Sequence, residues 1–392
     1  MLPPWKLREG FCSKEIVPAG SAFGFSGGGP AVVLCGGRLE RIWKMTKERE
    51  YLFDNVKAVM LFLVAFGHVI NVYMGNGAVE YTLIKYIYLF HMPVFAFVTG
   101  YFSKNDDKAR DRAMTGSLFP YLLFQGIYIL MGQTMILLGL ASFNTDVFNG
   151  SILLPSSAFY YLLAVFFWKL FQKDLFRFRY PLLLSAVLGI LISLTKQEEF
   201  HIGYGAVFSL LVFFTAGVKC DAEMIRKLRA LPRWIGAVIL LLGVPFAYFT
   251  PYAMHSIRLN YESEGFSNLQ GILLRILFYA AAFLMGAAII QLMPARKTWL
   301  SGVGKASLIV YAGSTFLSPH AYLLVASALH LNSNRALNLI GMFLFSLVLI
   351  LFFSIPVFGQ IYDLIMNGIK KILLAPEKRE AIRKSEQAAD HL

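Results

Sequence analysis

The chain has little charge and little sulfur. Only 15% of its 392 residues are Asp, Glu, Lys or Arg, too sparse a supply to coat a soluble protein of this length. Its three cysteines, Cys12, Cys35 and Cys220, lack metal-ligand spacing and do not form a disulfide framework. His201, His255 and His320 show no ligand-like spacing either, so no metal site is expected. Acidic residues number 23 against 36 basic ones, yet the net charge of +13 is not a nucleic-acid signal, because the basic residues sit in short segments between apolar runs. Gly27-Gly28-Gly29-Pro30 has no strand–helix context, which makes it a weak phosphate loop. The apolar stretch Ala31 to Cys35 is too short for the core of a signal peptide.

What the chain does have is apolar sequence, 57% of it, in repeated runs of about 20 residues. This predicts an all-α, polytopic membrane bundle of about ten transmembrane helices, at 56–75, 82–102, 117–140, 154–171, 180–195, 204–219, 233–250, 270–293, 306–329 and 336–366. Basic residues follow alternate runs: Lys104, Lys108, Arg110 and Arg112; Lys173, Arg177 and Arg179; Lys219, Arg226, Lys227, Arg229 and Arg233; Arg296, Lys297 and Lys305; then Lys370 to Lys384. The other loops hold only Lys196, Arg258 and Arg335. The positive-inside rule then places both termini in the cytoplasm of a multi-pass plasma-membrane protein. Residues 1–44 stand outside this pattern and read as a disordered basic extension, or as sequence upstream of a start at Met45. Residues 45–370 form the membrane domain, and 371–392 a charged cytoplasmic tail.

Ionisable groups inside a bilayer are costly, so each is a candidate site. Lys57 and His68 are eleven residues apart in the first run, which puts them on one helical face roughly 16 Å apart along the axis. Histidine suits general-base work near neutral pH, and a lysine near the membrane surface suits a phosphate or a snorkelling anchor. Asp54 is placed to orient Lys57, or to cap the helix start. His91, beside Pro93 in the second run, is a second candidate for proton transfer or ligand binding; a helix-packing hydrogen bond is the plain alternative. Arg275 in the eighth run needs an anion or a cavity, and Gln125 and Lys85 are polar groups within runs, with helix-to-helix bonding the plain reading for Gln125.

The ordered set Tyr51-Leu52-Phe53-Asp54-Asn55-Val56-Lys57, Gly67-His68, Phe90-His91-Met92-Pro93 and Thr99-Gly100-Tyr101-Phe102 resembles the membrane-bound acyltransferase 3 family, in particular its fucose 4-O-acetylase and polysaccharide O-acetyltransferase branch. Pro120-Tyr121 with Phe124-Gln125, Tyr161-Leu162-Leu163-Ala164, Phe213-Phe214 with Gly217, Arg275, and Gly304-Lys305-Ala306-Ser307-Leu308 with Tyr311 extend the likeness. Three positions depart from that branch. Ser314 stands where it often has histidine, Thr99 replaces a serine, and Gly203-Tyr204-Gly205-Ala206 lacks a common arginine. The resemblance implies acyl transfer from cytoplasmic acyl-CoA, most often acetyl-CoA, to a hydroxyl of a surface or lipid-linked carbohydrate. His68 would be the base, His91 its helper, Lys57 with Asp54 the donor site, and Arg275 with Gln125 the substrate contacts, in a hydrophilic pocket among the first, second, third and eighth helices. A glycan or glycolipid acceptor and membrane lipids are the expected partners. A transporter or exporter of a polar solute or glycan is the alternative, because intramembrane His, Lys and Arg also suit a proton relay, though no two-half repeat is visible.

Overall fold

The computed structural model describes residues 14–17, 32–137, 152, 154–156, 158–194, 203–255, 261 and 265–376, with side chains from Tyr51 onward. Much of the 1–44 extension, His201 and residues 377–392 of the tail lie outside the described residues. A two-stranded antiparallel ribbon, β1 (Lys14–Val17) with β2 (Val32–Cys35), precedes the helices. The rest is helical: α1 (Gly36–Asn71), α2 (Ala78–Tyr101), α3 (Asp106–Ala113) and α4 (Phe119–Leu137) joined by a π-helical turn at Met114–Leu118, α5 (Tyr160–Leu175), α6 (Pro181–Leu191) and α7 (Gly203–Lys219). Then come α8 (Ala222–Ala230), α9 (Arg233–Phe249), α10 (Tyr252–His255), α11 (Asn268–Leu292), α12 (Trp299–Lys305), α13 (Ser307–Ala328), α14 (Arg335–Phe353) and α15 (Pro356–Leu373).

The membrane bundle is all-helical as expected, but the count of ten spans is not confirmed. Among the described residues six helices are long and apolar enough to cross a bilayer, or seven if α7 and α8 form one broken span. The difference is length. α5 has 16 residues, α6 has 11, and α7 and α9 have 17 each. Seventeen residues rise about 25 Å, short of the roughly 30 Å hydrocarbon core. α7 turns into α8 through a bend of 95°, where Asp221 caps the new helix by accepting from the Met224 amide at 2.7 Å. The run read as 336–366 is divided, because Pro356 opens a new helix, α15, at its first turn.

The basic loops meet at one end of the bundle. There Gln172 Nε2 donates to the Ser103 carbonyl at 2.6 Å, and Arg229 Nη1 donates to the Ile290 and Met293 carbonyls at 2.9 and 2.6 Å. Lys104 Nζ donates to the Cys220 carbonyl. The start of α1 belongs to the same end: Asn55 Nδ2 donates to the carbonyls of Pro294 and Arg296 at 2.9 and 3.0 Å. At the opposite end Glu80 pairs with Arg335, Tyr73 donates to Asn332 Oδ1 at 3.0 Å, and Lys85 Nζ donates to the Thr250 carbonyl at 2.8 Å.

Two close crossings set helix positions. A Cβ on Gly217 would overlap the Phe97 carbonyl, and one on Gly100 would overlap the Phe214 carbonyl, so α2 and α7 touch backbone to backbone. Near α4, the described residues 152, 154–156, 158 and 159 are not helical, and the backbone there is held by side chains. Gln125 Nε2 donates to the Leu154 carbonyl and Ser156 Oγ, both at 3.0 Å, and Gln125 Oε1 accepts the Ser156 amide at 2.9 Å. Tyr121 Oη donates to the Ile152 carbonyl at 2.8 Å, and Tyr311 Oη donates to the Ala158 carbonyl. Non-helical backbone is tolerated within an apolar bundle only with partners of this kind.

Candidate functional site

Lys57, Leu61, Val64 and His68 form one stripe of α1, with spacings of four, three and four. Leu61 and Val64 are buried, so the two polar residues are separate stations rather than one polar patch. α2 crosses α1 at the upper station. A Cβ on Gly67 would lie 3.3 Å from Tyr88 and 3.5 Å from Ile87, so glycine lets the turn carrying His68 approach the turn before His91. The two imidazoles lie within electrostatic reach of each other.

His91 is buried and its Nδ1 is 2.7 Å from the Ile87 carbonyl oxygen. A carbonyl only accepts, so Nδ1 carries the hydrogen, and the neutral ring keeps its lone pair on Nε2. The Tyr88 ring sits 5.3 Å from the His91 ring and fixes its plane from one side. His68 is half-buried and is the more open of the pair. The site therefore holds two imidazoles, one locked in tautomer by its own helix.

The lower station is built from the start of α1. Lys57 Nζ is 2.8 Å from Asp54 Oδ1, one helical turn away. Asn55 next door is saturated: besides its two carbonyl acceptors, its Oδ1 accepts from Thr298 Oγ1 at 2.7 Å and Ser301 Oγ at 2.8 Å. Gly304 of α12 packs on the Asp54 backbone so closely that a Cβ would overlap its carbonyl. Lys305 Nζ lies 5.8 Å from the Tyr51 ring centroid. The segment 294–305 is thus fastened to the start of α1 at Tyr51, Asp54 and Asn55.

Arg275 is set apart. Gly286 on α11 faces Val94 on α2, so residue 283 lies level with His91. Arg275, eight residues earlier, is about 12 Å further along α11, on the side away from Lys57. It is fully buried, with Nε donating to Ser193 Oγ at 3.0 Å and the guanidinium stacked near Tyr261 and Phe278 at 5.2 and 5.5 Å. Gln125, expected among the substrate contacts, is engaged on both its nitrogen and its oxygen with residues 154–156. Ser314 is buried on α13 and donates to the Tyr311 carbonyl at 3.1 Å.

Lys85 caps the end of α9: its Nζ donates to the Tyr248 carbonyl at 3.1 Å and to that of the C-cap residue Thr250 at 2.8 Å. Beside it, His255 Nε2 is 2.7 Å from Thr250 Oγ1, and burial, then the Lys85 charge, push the His255 pKa down from 6.5 to about 4. A histidine depressed in the folded state stabilises the fold fully above pH 6.5. That stability is lost as pH falls from 6.5 toward about 4, because the unfolded chain takes the proton first. The unfolding midpoint should drop less between pH 7 and pH 4.5 in His255→Gln than in the unsubstituted chain; equal drops would remove His255 as the cause.

Several contributors were not identified from sequence. Tyr88 and Ser193 have no motif signal, and Asn55, Gly304 and Gly217 sat inside recognisable motifs without a role. Among the described residues no three His, Cys, Asp or Glu side chains come together as a metal site would require. The acyltransferase 3 family model, described as an acyltransferase domain, matches residues 50–359. No curated protein and no solved structure matches the chain.

Proposed function

This chain belongs to the acyltransferase 3 family, and from that membership we propose that it is an O-acyltransferase that moves an acyl group, acetyl in the first instance, from acyl-CoA to a carbohydrate hydroxyl. The coarser activity, a membrane acyltransferase, follows from the family and the apolar helices together. The donor, the acceptor and the residue roles are the proposal, as is the likeness to the polysaccharide-modifying branch.

The observation that carries the reading is the pairing of His68 with a His91 whose tautomer is set by Ile87. A sugar hydroxyl attacks a thioester carbonyl only as its proton leaves. His68, the more open ring, accepts that proton while the C–O bond forms. The tetrahedral intermediate collapses, the C–S bond breaks, and the proton returns from His68 to the departing CoA sulfur. His91, with Nε2 as acceptor, supports the proton on its neighbour. Lys57, held by Asp54 next to the basic segment 294–305, takes the phosphates of the donor. The positive-inside rule puts that end in the cytoplasm of a plasma membrane, where acyl-CoA is made. The roughly 16 Å from Lys57 to His68 is a reach for the extended pantetheine arm of CoA.

The test is purified protein in lipid vesicles, given labelled acetyl-CoA and a panel of free and lipid-linked sugars. Label on a sugar with equimolar release of CoA thiol is the expected result. Sugar flux across the vesicle without any thioester turnover would instead mark a transporter.

A further inference from the structure

Arg275 is the bulkiest fully buried side chain among the described residues. Of its five N–H donors only Nε has a partner; Nη1 and Nη2 are buried and bond to nothing among the described residues. The hydroxyls of Tyr261 and Tyr279 are also buried and unpartnered, and both lie within electrostatic reach of the guanidinium. Ser193 Oγ accepts from Nε and gives its own proton to the Gly189 carbonyl at 3.0 Å. Gly189 is the residue that makes room for Tyr279, because a Cβ there would overlap the Tyr279 hydroxyl.

This is a convergence of donors. An isolated buried cation costs several kcal/mol unless a counter-charge meets it. Two parallel guanidinium N–H groups fit two oxygens of one planar or tetrahedral anion, and the tyrosine hydroxyls supply further donors. A neutral sugar would leave the charge uncompensated. We propose that Arg275, Tyr261 and Tyr279 form an oxyanion-binding site that takes a carboxylate or phosphate group carried by the acceptor glycan.

This deepens the acyltransferase reading and rests on it for the word acceptor. Position supports that assignment: the site is on the far side of His91 from Lys57, so a donor whose phosphates sit at Lys57 does not also reach it. About 12 Å from the level of His91, it holds an acid group two or three sugars away from the hydroxyl that reacts. The site is closed in the structure: the Tyr261 ring, 1% exposed, stands over the guanidinium and packs on Gly271.

The test uses the full-length protein in nanodiscs and two matched probe pairs, methyl glucuronide against methyl glucoside and glucose 1-phosphate against glucose. Binding is read by isothermal titration and by the shift in unfolding midpoint. The expected result is that at least one charged probe binds and raises the midpoint while its neutral partner does neither; which probe binds separates carboxylate from phosphate. Arg275→Gln should weaken that binding at least about tenfold, and Tyr279→Phe, which keeps the ring and removes one unpartnered hydroxyl, about threefold or more. The tyrosine variant keeps the test open if the arginine variant does not fold. Equal behaviour of charged and neutral probes, or charged-probe binding unchanged in Tyr279→Phe and in a folded Arg275→Gln, overturns the site. Acetyl-CoA turnover by the unsubstituted protein is measured in parallel. Turnover without an oxyanion effect overturns only this site, and absence of turnover overturns only the acyltransferase proposal.

Discussion

His68→Ala is expected to lower acyl transfer by about 10²- to 10⁴-fold with little change in the KM for acyl-CoA, the loss associated with removing a positioned general base. The variant leaves the proposed donor station intact, since Asp54 holds Lys57 and segment 294–305 holds Asn55. Lys57→Ala should show the reverse pattern, a raised KM for the donor with a smaller effect on kcat. His91→Phe keeps an aromatic ring against Tyr88 but loses both the Ile87 bond and the Nε2 lone pair. It should fall between the two, lowering kcat without touching the donor KM. Steady-state kinetics on vesicle-embedded protein separate these cases. A His68→Ala enzyme within fivefold of the parent would remove His68 from the chemistry.

The second large effect is on the fold. Gly217→Ala and Gly100→Ala each put a methyl group into a backbone carbonyl across the α2–α7 crossing. Overpacking of this kind costs about 1–3 kcal/mol, and here the obstacle is a carbonyl rather than a side chain that can turn aside. Both substitutions are relieved by the same movement, separation of α2 from α7. The double variant should therefore cost less than the sum of the singles, a departure from additivity that independent sites would not show. Denaturant unfolding of the four proteins in one detergent measures this. Wild-type stability in either single variant would mean the helices do not meet as described.

What could be read in advance, and what could not, follows from which interactions are local. The apolar runs located the long helices but not the short α3, α8, α10 and α12, and the spacing of Lys57 and His68 placed two stations on one face. Composition is blind to where a helix breaks. It does not see that the 204–219 run ends in a sharp turn at Asp221, that Pro356 divides the last run, or that residues 154–156, 158 and 159 ahead of α5 lack helical form. The motifs were visible, but their meaning lay in tertiary contact. Gly304 and Gly217 prove to be places where helices approach closely. Thr99 bonds the Tyr161 hydroxyl at 2.7 Å, and Gln125 and Tyr311 hold backbone. His91 illustrates the limit well: its buried state follows from an apolar run, while its tautomer depends on a carbonyl that only the folded helix presents.

The backbone around Ala158 has one further consequence, for the order of synthesis. Its carbonyl accepts the nearby Tyr161 amide at 3.1 Å and also the hydroxyl of Tyr311, a residue 153 positions later in the chain. At ordinary translation rates that partner emerges roughly 8–30 s afterwards. Until α13 arrives, that carbonyl has only the Tyr161 amide, and the start of α5 lacks its tie to α13. A truncation that ends before α13 should therefore be less stable than the full chain and be cleared by quality control rather than accumulate as a smaller bundle.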